Sequence, residues 1–188
     1  MRLLLDSGAD IEAKCNIGAA TPLYAASAAG MLEVVQLLVA CGAVVDACNE
    51  EGDTPLMMAS YKGHAPVVRE LLAAGADVDA RANDGCTALH AASQEDHIEV
   101  LRELLKHDLN VNAQDNDGDT PLILACILGH LMAATALIAN GADVNLLDHA
   151  GQSALWHAKN NTPAAGAPAA RKKAHKAIVA LLEARMSA

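Results

Sequence analysis

The chain has 188 residues, of which 53% are hydrophobic and 19% charged, a composition that excludes an intrinsically disordered protein. No apolar run approaches the ~18 residues that a membrane-spanning helix needs, and the apolar stretch at the N-terminus is too short for a secretory signal peptide. Residues 1–150 carry 7 Lys and Arg against 22 Asp and Glu, a net charge of −15, whereas residues 151–188 carry 6 against 1, a net charge of +5. This acidic body argues against general nucleic-acid binding and suits a basic protein partner.

The five cysteines are an odd number, and no two of them form a Cys-x-x-Cys pair. Together with the missing signal peptide, this favours a reducing, intracellular and cytoplasmic setting. Cys41 and Cys126 are expected to be buried free thiols. A short basic run, Arg171-Lys172-Lys173, is a weak nuclear-import pattern, and we interpret it first as the solvated face of a helix.

A helix-start pattern recurs along the chain. A Thr before a Pro can cap a helix, because its hydroxyl accepts from a free amide while Pro lacks an amide where none is needed. The pattern occurs at Thr21-Pro22-Leu23, Thr54-Pro55-Leu56, Thr87-Ala88-Leu89, Thr120-Pro121-Leu122 and Ser153-Ala154-Leu155. These capping positions are spaced by 33 residues each time, and a fixed period of this size predicts a stacked repeat protein.

Each predicted unit has the same order of parts, which the second unit shows most clearly. A polar turn, Asn49-Glu50-Glu51-Gly52-Asp53, precedes a first helix from Thr54 to Tyr61. After a break at Lys62-Gly63-His64, a second helix runs from about Pro66 to Ala73, and Gly75 ends it in a left-handed conformation. Neither helix alone can bury its apolar face, so neighbouring units must stack.

These motifs resemble the ankyrin repeat. The matching features are the Thr-Pro-Leu-x-x-Ala motifs, the Gly63-His64 and Gly129-His130 breaks, the Val-Val-x-x-Leu-Leu helices and the turns at Gly75–Asp79 and Gly141–Asn145. The resemblance implies an all-α repeat solenoid of helix-turn-helix units with short β-hairpin-like fingers. It also implies that His90 forms a hydrogen bond between units. We divide the chain into a truncated N-terminal repeat at 1–15, then repeats at 16–48, 49–81, 82–114 and 115–147, and a fifth repeat with C-terminal cap at 148–188.

Three departures from the pattern carry further expectations. Asp108 replaces the glycine that ends the second helix in the other units, so we expect a strained positive φ there and the least stable junction in this third unit. The fifth unit contains an Ala/Pro/Gly-rich insertion at about 160–170, followed by a capping helix from about Ala170 to Arg185. The half-repeat at the start indicates either a natural half-repeat or a chain that extends beyond Met1.

Patterns that suggest chemistry are better explained by structure. Asp115-x-Asp117-x-Asp119 lacks the glycine and the final acid of a calcium loop. His64, His97 and His130 recur every 33 residues, so stacking separates them by roughly 8–10 Å, too far to share one zinc ion. No nucleophile with a nearby base is recognisable. We therefore predict no catalytic, cofactor-binding or metal-binding residue.

The resemblance implies that a partner binds to the finger tips and to the ends of the first helices. The candidate partner-binding residues are Glu50, Glu51, Asp53, Tyr61, Lys62, Arg81, Asn83, Asp84, Gln94, Glu95, Asn116, Asp117, Asp119, Ile127, Leu128, His149 and Gln152. Tyr61, Ile127 and Leu128 are the apolar anchors expected to carry binding energy. Trp156 is interpreted as a core residue beneath the cap helix, with an exposed binding anchor as the alternative.

The sequence thus predicts a non-catalytic, monomeric interaction module, a scaffold or adaptor that binds a basic protein partner on a concave acidic face. The alternative is that the chain is the targeting or regulatory arm of a larger enzyme or receptor. The resemblance further implies that Asn112 and Asn145 are candidates for asparagine hydroxylation.

Overall fold

A computed structural model describes residues 10–15, 18–160 and 169–187, and the side chains in these ranges except those of 169–172. Residues 1–9 of the predicted N-terminal half-repeat, most of the inserted loop and the side chains of Arg171 and Lys172 lie outside the described residues. Within those ranges the protein is all-helical.

The described residues form ten helices. They are α1 (Pro22–Ala28), α2 (Leu32–Ala40), α3 (Pro55–Tyr61), α4 (Ala65–Ala73), α5 (Ala88–Gln94), α6 (Ile98–Leu104), α7 (Pro121–Leu128), α8 (Leu131–Ala139), α9 (Ala154–Asn160) and α10 (Ala169–Met186). In the first four pairs, two short helices are separated by a break of two or three residues, and a longer polar turn leads to the next pair. In the last pair, residues 161–168 lie between α9 and the 18-residue α10.

The predicted threonine caps are present. The hydroxyl oxygens of Thr21, Thr54 and Thr120 accept hydrogen bonds from backbone amides three residues later, at 3.2, 3.3 and 3.2 Å. At Thr87 the contacts run to His90 instead, whose Nδ1 lies 3.1 Å from the Thr87 amide and 2.9 Å from its hydroxyl. Each cap therefore fixes the start of a helix by satisfying an amide that the helix itself leaves free.

The helices pack in two rows. The first helices α1, α3, α5, α7 and α9 pack against one another in order, and so do the second helices α2, α4, α6, α8 and α10. The core lies between the rows and is built mainly from Leu, Val, Ile and Ala, with Leu56, Leu89 and Leu122 each no more than 2% exposed. Short helices that bury small side chains against both neighbours form a helical repeat solenoid.

The polar turn before each first helix is a short hairpin-like loop, which we call a finger. In the fingers that begin at Asn49 and Asp115, the backbone amide of the first residue donates to the carbonyl four residues later, at 3.1 and 3.0 Å. An isolated antiparallel bridge joins Leu147 to Ser153, and the described residues contain no extended strand. Successive fingers also bond to each other, so their tips form one continuous edge.

Histidines hold the second helices in position. The Nε2 atoms of His64, His97 and His130 lie 3.1, 3.0 and 3.0 Å from carbonyl oxygens at the end of the first helix of the preceding unit. The ring of His97 lies directly against Gly63, where an added β-carbon would be 2.7 Å from it. Glycine is therefore required at this position both for its positive φ of 77° and for the space that the ring occupies.

The third unit lacks the glycine that follows the second helix in the other units, and its backbone there differs from the prediction. Asp108 does not have a positive φ, so the expected strain there is wrong. Instead α6 ends at Leu104 and has seven residues, whereas α2, α4 and α8 each have nine. The strained non-glycine in this unit is Asp96, with φ 56°, at the position that Gly63 and Gly129 occupy elsewhere.

The cysteine prediction holds at one of two positions. Cys126 lies in α7 and is buried, whereas Cys41 is exposed and not a core residue. Cys41 caps the C-terminus of α2, where the chain turns out of the helix into solvent.

Candidate functional site

The finger tips and the C-terminal ends of the first helices form one surface, which we call the finger face. None of the predicted partner-binding residues is buried. Those that are exposed are Glu50, Glu51, Tyr61, Lys62, Arg81, Asn83, Asp84, Gln94, Glu95, Asn116, Asp117 and His149, and those that are partly buried are Asp53, Asp119, Ile127, Leu128 and Gln152. The surface on which the prediction rests is therefore accessible.

Two of these residues have a structural task. The side-chain amide of Asn83 donates to the backbone oxygen of Glu50, and that of Asn116 donates to the backbone oxygen of Asn83, both at 2.9 Å. Their backbone amides also donate to the preceding finger, to Glu51 and Asp84, at 2.9 and 2.8 Å. These bonds align consecutive fingers and hold the tips in a fixed register.

A second series of bonds lies at the finger bases. The guanidinium of Arg81 donates to the backbone oxygen of Gln114. The side-chain amide of Gln114 in turn donates to the backbone oxygens of Gly118 and Leu147, at 2.7 and 2.9 Å. Arg81 is therefore held against the next finger.

The ends of the first helices carry the aromatic and amide candidates. The ammonium of Lys62 lies 5.0 Å from the centre of the Tyr61 ring, within the range of a cation–π contact. The amide of Gln94 donates to the carboxylate of Glu95 at 3.2 Å. Ile127 packs partly against the core, so its exposed fraction is available for an apolar contact.

We number the fingers along the chain, so that the turn at 49–53 is finger two and the turn at 82–86 is finger three. The acidic residues of these two fingers form no ion pair in the part of the chain that the structure describes. Among the described residues, Glu50, Glu51, Asp53 and Asp84 form no ion pair within 4 Å. Burial raises the pKa of the Asp53 carboxyl, the side-chain amide of Asn49 lowers it, and the negative charges of Asp84 and Glu51 raise it further. Negative charge is concentrated here without compensation.

Finger five differs because it brings a histidine to the acids. His157 Nε2 and Asp148 Oδ2 are 2.7 Å apart, and both side chains are nearly buried. Ligand atoms of Asp119, Asp148 and His157 all lie within 4.8 Å of one another, so these three could hold a cation. Burial and the adjacent Asp115 raise the pKa of Asp119 to about 6.

Sequence reasoning missed this grouping. Burial opposes ionisation of Asp148, but hydrogen bonds from the amides of Gln152 and Ala150 and from His157 lower its pKa. His157 lies one turn into α9, on a helix whose pattern otherwise indicates packing alone. Its proximity to Asp148, nine residues earlier, becomes visible once finger five is seen to fold back on α9.

A groove between fingers two and three was also missed. It has a volume of about 240 Å³, and Met57, Met58 and Tyr61 of α3 line it together with Asp53, Asp84 and Cys86. Burial, followed by the charges of Asp84 and Asp115, raises the pKa of the Cys86 thiol to about 12. The thiol is therefore protonated at neutral pH and is a poor nucleophile.

Trp156 is placed differently from the core position that we predicted. Its side chain is 42% exposed, and its ring meets that of His157 edge-on with centroids 5.1 Å apart. The alternative interpretation, an exposed aromatic residue on the first helix of the last unit, matches the structure. A large part of the Trp156 side chain, although less than half, is thus accessible beside the fifth finger.

The comparisons with known proteins fit this architecture. A family model described as ankyrin repeats matches three times, over residues 1–82, 74–148 and 110–165. The search of curated proteins gave no match. Among the described residues, no helix has the length and apolar character needed to cross a bilayer.

Proposed function

This chain belongs to the ankyrin-repeat family, and we propose that it is a non-catalytic protein-interaction module that binds a basic partner on its finger face. Ankyrin repeats generally mediate protein–protein interaction and are typically not enzymes. We further infer five units that recur with a 33-residue period, with the boundaries given above, acting as a monomeric scaffold or adaptor.

The observation that carries this proposal is the uncompensated acidic surface of fingers two and three. Four carboxylates, those of Glu50, Glu51, Asp53 and Asp84, lie on adjoining fingers without an ion pair among the described residues. Exposed carboxylates that face one way create a negative potential that attracts a cationic surface and speeds its association. Tyr61, which lines the same groove as Asp53 and Asp84, supplies an apolar contact that persists after docking, and Ile127 supplies a second one on α7.

The fingers also provide the rigidity that recognition needs. The side-chain amides of Asn83 and Asn116 fix each tip to its neighbour, so the acidic side chains project from a preorganised edge. A preorganised surface loses little conformational entropy when a partner binds, and more of the contact energy appears as affinity.

Charge reversal tests the proposal. A Glu50→Lys/Asp117→Lys variant should lose the partners that the parent protein captures from cell extract, as measured by quantitative mass spectrometry. Glu99→Lys/Asp108→Lys is the matched control, because it changes the net charge equally at exposed positions away from the fingers. If both variants capture the same proteins as the parent, and capture is independent of salt, the finger face is not the binding surface.

A further inference from the structure

Two adjoining depressions cross the finger face between the second and third units. The first is the groove beside α3, lined by the apolar side chains of Met57 and Met58, which we call its floor, by Tyr61, and by the carboxylates of Asp53 and Asp84, which we call its rim. The second has a volume of about 360 Å³ and lies between the tips, where Glu50, Glu51 and Asn83 join the same two aspartates. Asp53 and Asp84 thus belong to both.

The composition of the inner depression matches a particular kind of side chain. Its floor is apolar and flexible, and methionine adapts readily to the shape of what it contacts. Its rim is anionic. Lysine and arginine have this same division, with an apolar methylene stem that packs on hydrocarbon and a charged end that stays with polar groups.

The acidic residues between fingers four and five differ from those between fingers two and three in whether a basic side chain of the protein lies beside them. Between fingers four and five, His157 lies against Asp148 and near Asp119. Between fingers two and three, Asp53 and Asp84 form no ion pair within 4 Å among the residues described. The ammonium of Lys62 lies over the ring of Tyr61, and the guanidinium of Arg81 donates to the backbone oxygen of Gln114. The carboxylates of Asp53 and Asp84 are therefore open to a cationic group from a partner.

We propose that this pair of depressions binds an extended peptide segment carrying two basic side chains. One lysine or arginine lies with its stem on Met57 and Met58 and its charged end at Asp53 and Asp84. The second lies between the tips, beside Glu50 and Glu51. In an extended segment, alternate side chains project from the same face, so both can reach the surface together. The inference rests on the proposed function and assigns it a location and a ligand class.

The test is a selection of peptides from a randomised display library against the full chain, followed by calorimetry with the enriched peptides. We expect enrichment of peptides with two basic residues. Asp53→Asn/Asp84→Asn should weaken their binding by at least about tenfold. Asparagine keeps an oxygen acceptor for the Cys86 amide, which Asp84 now satisfies at 2.9 Å, so the finger should still fold. Unchanged thermal melting of the variant checks this.

The matched control is Glu99→Gln/Asp108→Asn, which removes the same charge from exposed positions outside both depressions and away from the finger face, and it should change affinity by less than about threefold. Replacing the inner basic residue of the peptide by citrulline or acetyl-lysine keeps the stem and removes the charge, and it should reduce affinity as the aspartate variant does.

Two results would overturn the inference in distinguishable ways. If basic peptides bind the finger face but map by NMR to Ile127 and Leu128, the depressions are not the site while the proposed function stands. If the enriched peptides lack basic residues, or bind the second-row helices, the proposed function fails with it.

Discussion

Leu122 provides the most direct check of how the stack is held together. Its side chain is 1% exposed in α7, which packs against α5, α8 and α9. Truncation to alanine removes buried methyl groups and leaves a cavity that four short helices cannot close without moving. Core truncations of this kind cost ~2–5 kcal/mol. At roughly 2–4 °C per kcal/mol for a chain of this size, the melting temperature of Leu122→Ala should fall by about 4–20 °C.

Urea unfolding followed by circular dichroism measures the free-energy loss, and hydrogen exchange shows where it falls. Because units contact only their neighbours, protection should decrease most in α5, α7, α8 and α9. Leu147→Ala is the control, since that side chain is 51% exposed and should change stability by less than about 0.5 kcal/mol. If the two variants melt alike, the register of the buried face is wrong.

Three smaller perturbations follow from other positions. Thr120→Ala removes the acceptor for the Ile123 amide and should destabilise the protein by about 1 kcal/mol in urea titration; an unchanged midpoint would refute the cap. The pKa of Asp119 is raised to about 6 from 3.8, so its ionisation costs stability above pH 6 and costs none below about pH 4. Asp119→Asn should therefore be more stable than the parent at pH 7, by about 1 kcal/mol after solvent screening, with the difference vanishing towards pH 4; a constant difference would refute the assignment. Asp108→Gly should let α6 extend and raise stability by up to ~1 kcal/mol, and unchanged exchange at residues 105–107 would contradict this.

The helices could be predicted because their signals are local. A Thr cap, a following Pro and an apolar repeat act within one turn, and the structure places helices at all five predicted starts. Asp108 shows the limit of such reasoning. Without glycine the chain can either adopt a strained φ or end its helix early, and the sequence does not show which costs less. The structure has the shorter helix, while Asp96 accepts the strain, with its carboxylate near His130 and the Ala133 amide.

The polar part of the candidate site and Tyr61 could be predicted from the sequence, whereas the two methionines that line the groove could not. Glutamate and aspartate at finger tips read as exposed because turns are solvated. Met57 and Met58 follow the apolar pattern of α3, and a periodic pattern cannot distinguish a residue that lines a groove from one in the core. The prediction that Trp156 is a core residue was wrong for the same reason. A large aromatic residue on an amphipathic helix is predicted to be buried unless the neighbouring surface is known.

The contact between a histidine ring and a glycine of the preceding unit has a consequence for how such chains change in evolution. His64 lies on Gly30 and His97 on Gly63, and in the capping helix His175 lies on Gly129. The sequence spacing from His64 to His97 is 33 residues, whereas from His130 to His175 it is 45, yet the ring of His175 lies on a glycine as those of His64 and His97 do. At these three joints the ring meets a glycine rather than a variable side chain; His130, beside Asp96, is the exception. Gene duplication or recombination could therefore insert, remove or exchange units, or attach an unrelated capping helix, without requiring a new kind of contact between units.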